Sequence, residues 1–182
     1  MLARLLDADL DERTWSRTVC VAQFIEFGNS RHSDTAWWPP LARRAVDLLA
    51  ARPLHAARAV DIAIGAARLD GERDPERVAA GLAAVADLLR DRPVLAVQVR
   101  DRLDRLLGGF RGSWTEPAKV LPAARLLSGG DDVAAHLLAV GLVQMGGRAA
   151  GWTADWRDLL KMLRGSAHVE ARQDAWDVVS EE

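Results

Sequence analysis

The chain has 182 residues, of which 49% are apolar and 27% charged, with 24 Lys/Arg against 26 Asp/Glu and a formal net charge of -2. This composition excludes a disordered chain, and the length suits one substantial core or about four to five helix pairs, so a single domain over 1–182 is expected. Charge is even along the chain: residues 1–50 hold 6 Lys/Arg against 7 Asp/Glu, 51–110 hold 10 against 9, and 111–182 hold 8 against 10, so no stretch has the basic footprint of a protein that neutralises many phosphates, and nucleic acid is disfavoured as a partner.

The N-terminus, Met1-Leu-Ala-Arg-Leu-Leu-Asp, lacks the basic-then-apolar order of a signal peptide, and a cytoplasmic location is expected. Leu2, Leu5, Leu6 and Leu10 mark a short amphipathic helix. Asp11 is placed to cap a second helix through Trp15, Val19, Phe24 and Ile25 that stops at Gly28, so residues 1–27 read as N-terminal helices. Cys20 is the only cysteine. It rules out an intrachain disulfide, and within Val19-Cys20-Val21-Ala22 it reads as a small apolar residue. The stretch 28–40 is rich in turn formers and closes on Trp37-Trp38-Pro39-Pro40, which makes it the long loop of the chain.

From residue 40 the pattern repeats. Asp47-Leu48-Leu49-Ala-Ala-Arg52-Pro53-Leu54 returns 40 residues later as Asp87-Leu88-Leu89-Arg-Asp-Arg92-Pro93-Val94, and two-leucine endings follow at Leu126-Leu127 and Met162-Leu163 at offsets of 38 and 36. A proline is tolerated in the first turn of a helix, so each Arg-Pro marks a corner between two helices. Four hairpins are predicted over 40–182: 40–51 with 53–69, 75–91 with 93–107, 117–127 with 131–145, and 153–164 with 168–180. The second helices differ in polarity. Leu54–Leu69 is apolar except along Arg58, Asp61 and Arg68. Val133–Val143 has His136 as its one polar residue and reads as buried, the nearly uncharged run Val133–Gly147 being too short to span a bilayer. In 94–107, Leu95, Val99, Leu103 and Leu106 oppose Arg100, Asp101, Asp104 and Arg105, which gives an open charged face. Gly65, Gly81 and Gly141 lie mid-helix, where a glycine costs about 1 kcal/mol against alanine, and imply close helix approach.

A two-helix unit of 36–40 residues resembles the HEAT and armadillo class of helical repeats. The last unit is most similar: Leu159-Leu160-Lys-Met162-Leu163-Arg-Gly-Ser-Ala-His168-Val-Glu-Ala171-Arg172-Gln-Asp-Ala175 follows the HEAT order of a leucine-rich first helix, a turn, then small-Arg-x-x-Ala. Val99-Arg100-x-x-Leu103 is a looser copy. The last unit lacks the usual Asp-Pro turn, and the third has no Arg at the matching place. The resemblance implies an all-α fold, a right-handed stack of antiparallel hairpins with about ten helices, and a scaffold or adaptor whose surface binds another macromolecule. It transfers no catalytic residue.

Candidate chemistry is sparse. Asp132 and His136 lie four apart, with Asp131 adjacent, but a metal site needs three or four ligands, so helix capping and a hydrogen-bonded core histidine are expected. His32, His55 and His168 have no Ser, Cys or carboxylate at a spacing that suggests nucleophilic or acid–base work. Gly108-Gly-Phe-Arg-Gly-Ser113 and Gly146-Gly-Arg-Ala-Ala-Gly151 follow helices, not strands, and lack a GKS/T ending, so they read as helix terminators rather than phosphate loops. Of the seven tryptophans, Trp37, Trp38, Trp114, Trp152 and Trp156 sit in or beside inter-unit loops. Trp152 and Trp156 are expected to pack inward at a helix start capped by Thr153, while Trp37-Trp38 in a polar loop is the candidate exposed anchor.

A non-catalytic protein-interaction module follows, free or the terminal part of a larger protein, with no cofactor, metal or membrane association. Its partner surface is expected at Arg58, Asp61, Arg68, Arg100, Asp104 and Arg105, with Arg172 and the Trp37-Trp38 pair. The alternatives are a DNA-binding or base-repair protein of the same helical class, and a small-ligand pocket lined by Trp and Arg.

Overall fold

The computed structural model describes residues 43–47, 49, 51, 56–66, 74–103 and 117–180. Among them every regular element is a helix and none is a strand, so the protein is all-α. Seven helices are bounded there: α1 (Ala56–Ala66), α2 (Pro75–Leu88), α3 (Pro93–Arg100), α4 (Pro117–Ser128), α5 (Val133–Ala150), α6 (Ala154–Arg164) and α7 (Val169–Asp177). The chain forms two compact units, Met1–Ala66 and Ala67–Glu182. In the first, Ala45, Val46, Leu49, Ala59, Val60, Ile62 and Ala63 are buried.

The second unit contains α2 to α7, and its helix starts have local causes. Asp74 caps α2 by accepting the Glu76 N–H at 3.1 Å, and Asp132 caps α5 by accepting the Ala134 N–H at 3.1 Å, each satisfying a donor that the first turn leaves open. Pro75, Pro93 and Pro117 open α2, α3 and α4, where a missing N–H costs nothing within the helix. Pro122 lies inside α4 but on an exposed position, so water can reach the carbonyl that its missing N–H leaves unbonded.

Helix α5 is the centre of this unit. It packs against α2, α3, α4, α6 and α7. Leu137, Leu138, Leu142 and Val143 are among its fully buried side chains, each worth about 1.5–3 kcal/mol relative to exposure. By length and composition it is the one described helix that meets the requirements for a bilayer span, yet 61% of it is buried inside the protein. Around it, α4 lies between α2 and α6, and α5 itself lies between α3 and α7.

Two boundaries differ from the sequence reading. The helix expected to end at 145 runs to Ala150, so Gly146 and Gly147 are interior residues. The terminator is Gly151, which takes the left-handed conformation at φ 65°. The reason is steric: a methyl on Gly146 would lie 2.5 Å from Trp156 Cζ2, and one on Gly147 would lie 2.5 Å from Trp152 Cζ3. The glycines are seats for two indoles. The second difference is that α3 stops at Arg100 and a turn at Asp101 and Arg102 interrupts the helix expected over 93–107, with Leu103 helical again and residues 104–107 outside the described residues.

Gly141 lies mid-helix in α5, where α3 approaches closely. A Cβ there would lie 2.6 Å from Arg100 Cγ and 2.7 Å from Leu103 Cδ1, so its bare surface admits side chains from the α3 segment.

Candidate functional site

Trp37, Trp38, Arg68, Asp104 and Arg105, proposed from sequence as partner contacts, lie outside the described residues. Arg58 is half-buried and Asp61 exposed, both on α1. Arg100 and Arg172 belong to the second unit and are engaged within it. The Arg100 methylene stem lies over Gly141, and its guanidinium reaches Asp174 of α7 through Nη1 and Asp101 through Nη2 at 2.7 Å. Arg172 donates from Nη1 to the Ser166 carbonyl at 2.9 Å. The side chains of Arg100 and Asp174 are only 19% and 23% exposed, which makes this charge-assisted pair a clasp between α3 and α7 across α5. Arg100→Ala and Asp174→Ala are each expected to lower the unfolding free energy by about 1–3 kcal/mol. The double variant should lose less than the sum in urea denaturation, and strict additivity would dissolve the clasp.

A second polar cluster joins the turn after α4 to the turn after α6. His136 Nε2 lies 2.8 Å from the Gly130 carbonyl oxygen, and His136 Nδ1 lies 2.7 Å from Ser166 Oγ. A carbonyl can only accept, so Nε2 carries the proton and Nδ1 accepts from the Ser166 hydroxyl. Ser166 Oγ accepts in turn from the His168 backbone N–H at 3.1 Å, while His168 Nε2 meets the Asp131 carbonyl at 3.1 Å. The two imidazoles stand edge to face with centroids 5.0 Å apart. A serine hydrogen-bonded to a histidine invites a nucleophile reading, but the geometry opposes it. Ser166 is only 5% exposed, the imidazole is oriented by a carbonyl rather than a carboxylate, and both ring nitrogens are committed. The cluster is a latch. Among the described residues no group of three or more His, Cys, Asp or Glu is gathered for a metal ion.

A groove of about 560 Å³ in this unit is lined by Arg157, Leu160, Lys161, Arg164, Gly165, Trp176 and Ser180. Spacings of four and three along α6 put Arg157, Lys161 and Arg164 on one face, above the buried Leu160. Arg164 is held in place: Nε donates to the Ala175 carbonyl at 3.2 Å and Nη2 to the Val178 carbonyl at 3.0 Å. Its guanidinium carbon sits 4.9 Å from the centroid of Trp176, within cation–π range. One arginine thus closes the end of α7 and fixes the indole that lines the groove. Among the described residues, the charged side chains lining it are all cationic. The volume falls in the range of about 300–1,000 Å³ usual for ligand clefts.

The sequence reading passed over Ser166, Trp176 and the cations of α6. Ser166 is an ordinary turn residue until folding places it beside His136, 30 positions earlier. The α6 spacing was the available signal for the groove, since three cations at i, i+4 and i+7 share one face of any helix they lie on. Comparison of the chain with protein families finds no match, and neither do searches of curated proteins and of solved structures.

Proposed function

We propose that this chain is a non-catalytic interaction module that binds another protein, and that the groove beside Trp176 is a contact surface. The observation that carries this reading is the indole itself. Trp152 and Trp156 are buried on the glycines of α5, whereas Trp176 is 63% exposed and is held by Arg164 next to two further cations. A large, oriented aromatic side chain left open to water is the kind of residue on which protein interfaces concentrate binding energy.

The packing order supports a stack of helix hairpins of the HEAT or armadillo kind: α2, α4 and α6 follow one another on one side, and α3, α5 and α7 on the other. Such stacks serve as scaffolds, which fits the use of the histidine and serine cluster in holding turns together. Arg58 and Asp61 of α1 and the Trp37-Trp38 loop are retained as further contact candidates, and the setting proposed is the cytoplasm.

The test is affinity capture from native lysate with intact protein beside Trp176→Ala and Trp37/Trp38→Ala variants. Loss of a specific protein partner from the Trp176→Ala sample is expected. Capture that is the same for all three, or turnover of a small molecule that maps to the groove, would overturn the reading.

A further inference from the structure

We infer that the groove of Arg157, Lys161, Arg164 and Trp176 takes a short acidic segment of a partner protein, with carboxylates on the three cations and an apolar side chain against the indole; this rests on the interaction-module reading above. The first ground is unmet charge. Several exposed arginines of this unit have carboxylates, as in Arg90 with Asp87 at 3.4 Å and Arg125 with Asp155 at 2.6 Å. Among the described residues Arg157 and Lys161 have no ion-pair partner, although both are exposed. In a chain whose charges balance almost throughout, two unpaired cations flanking a third form a local positive site, and complementarity selects a negative ligand.

The second ground is shape and composition. The groove is far larger than an inorganic anion needs, and Trp176 adds apolar surface beside the cations. A carboxylate-bearing segment with one apolar side chain uses both. Arg164 is already ordered by two carbonyls of the α7 end, so less freedom is lost when a carboxylate docks on it.

The third ground separates a peptide from a nucleic-acid strand. The basic run is confined to three residues. Around and between these cations, Asp155 and Asp158 on α6 and Glu170 and Asp177 on α7 are exposed, so a polyphosphate chain leaving the groove meets carboxylates on the helices that line it. Tracking a phosphate backbone needs a continuous basic path, and the surface offers a short one.

Fluorescence anisotropy tests this with a fluorescein-labelled peptide of Asp and Glu around one leucine, its Lys/Gln counterpart, labelled single-stranded oligothymidylate, and inorganic phosphate as competitor. The acidic peptide is expected to bind and to weaken with salt. Arg157→Glu with Lys161→Glu should weaken it at least tenfold and Trp176→Ala about tenfold, with both variants melting within a few degrees of the parent because these side chains are exposed. The inference is overturned by absence of binding to the parent protein, by equal binding to the variants, by tighter oligothymidylate binding with the same residue dependence, or by full displacement with phosphate at equal concentration. Should the peptide fail while Trp176-dependent capture of a protein persists, only the acidic chemistry is lost. Should that capture fail as well, the module reading goes with it.

Discussion

Trp156→Ala is expected to lower the unfolding free energy by about 3–5 kcal/mol, the range for truncating a buried large aromatic. Its ring is 2% exposed and rests on Gly146 of α5, so removal opens a void between α5 and α6 that neither backbone fills without moving. The opposite change tests the same contact. Gly146→Ala gains about 1 kcal/mol of helix propensity, but its methyl would stand 2.5 Å from Trp156 Cζ2, and overpacking a buried ring costs about 1–3 kcal/mol. The ring edge has to retreat by most of an ångström inside a filled core, so the clash wins and the variant is destabilised. In the double variant the methyl enters the void left by the indole, and Gly146→Ala becomes neutral or stabilising. A urea denaturation cycle reads this coupling directly. Additive effects, or a stabilised Gly146→Ala in the parent background, would show that the indole does not need the glycine. Gly147 and Trp152 repeat the arrangement at 2.5 Å.

These glycines also mark where the sequence stopped being informative. Helix starts were legible because their causes are local: Asp74 and Asp132 sit at caps, and Pro75, Pro93 and Pro117 sit where a helix tolerates proline. Gly146-Gly147 carries the same local signature as a helix end, and only the indoles that follow, Trp152 in the turn and Trp156 in α6, decide that it is a packing surface. Arg100 poses the same problem with charge. Its neighbours Asp101, Asp104 and Arg105 suggest an open, self-paired face, yet one of its two carboxylates is Asp174, 74 positions away. The groove had a local half and a distant half. The cations of α6 share a face by spacing alone, while the indole that makes them a site arrives from α7.

His136→Ala is expected to cost about 2–4 kcal/mol, because it removes two hydrogen bonds and leaves the Ser166 O–H without its acceptor and the Gly130 carbonyl without its donor. Ser166→Ala should cost less, since the methyl needs no partner, although Nδ1 of His136 and the His168 N–H each lose one. Each variant strands two polar groups, and His136→Ala costs more because it also removes a ring that packs edge to face on His168; a void-only account predicts no effect on hydrogen exchange. The His168 amide provides that second readout. It donates to Ser166 Oγ, so its exchange should quicken in Ser166→Ala and in His136→Ala, where the hydroxyl is free to turn. Unchanged exchange, or a His136→Ala variant within about 0.5 kcal/mol of the parent, would remove the latch. Its place in the chain gives it reach beyond stability: Ser166 follows Gly165, which lines the groove, and Arg172 holds the Ser166 carbonyl from α7. Loosening the turn therefore frees the joint between α6 and α7, the two helices whose spacing sets the distance from Lys161 to Trp176, and affinity for an acidic peptide should fall along with stability.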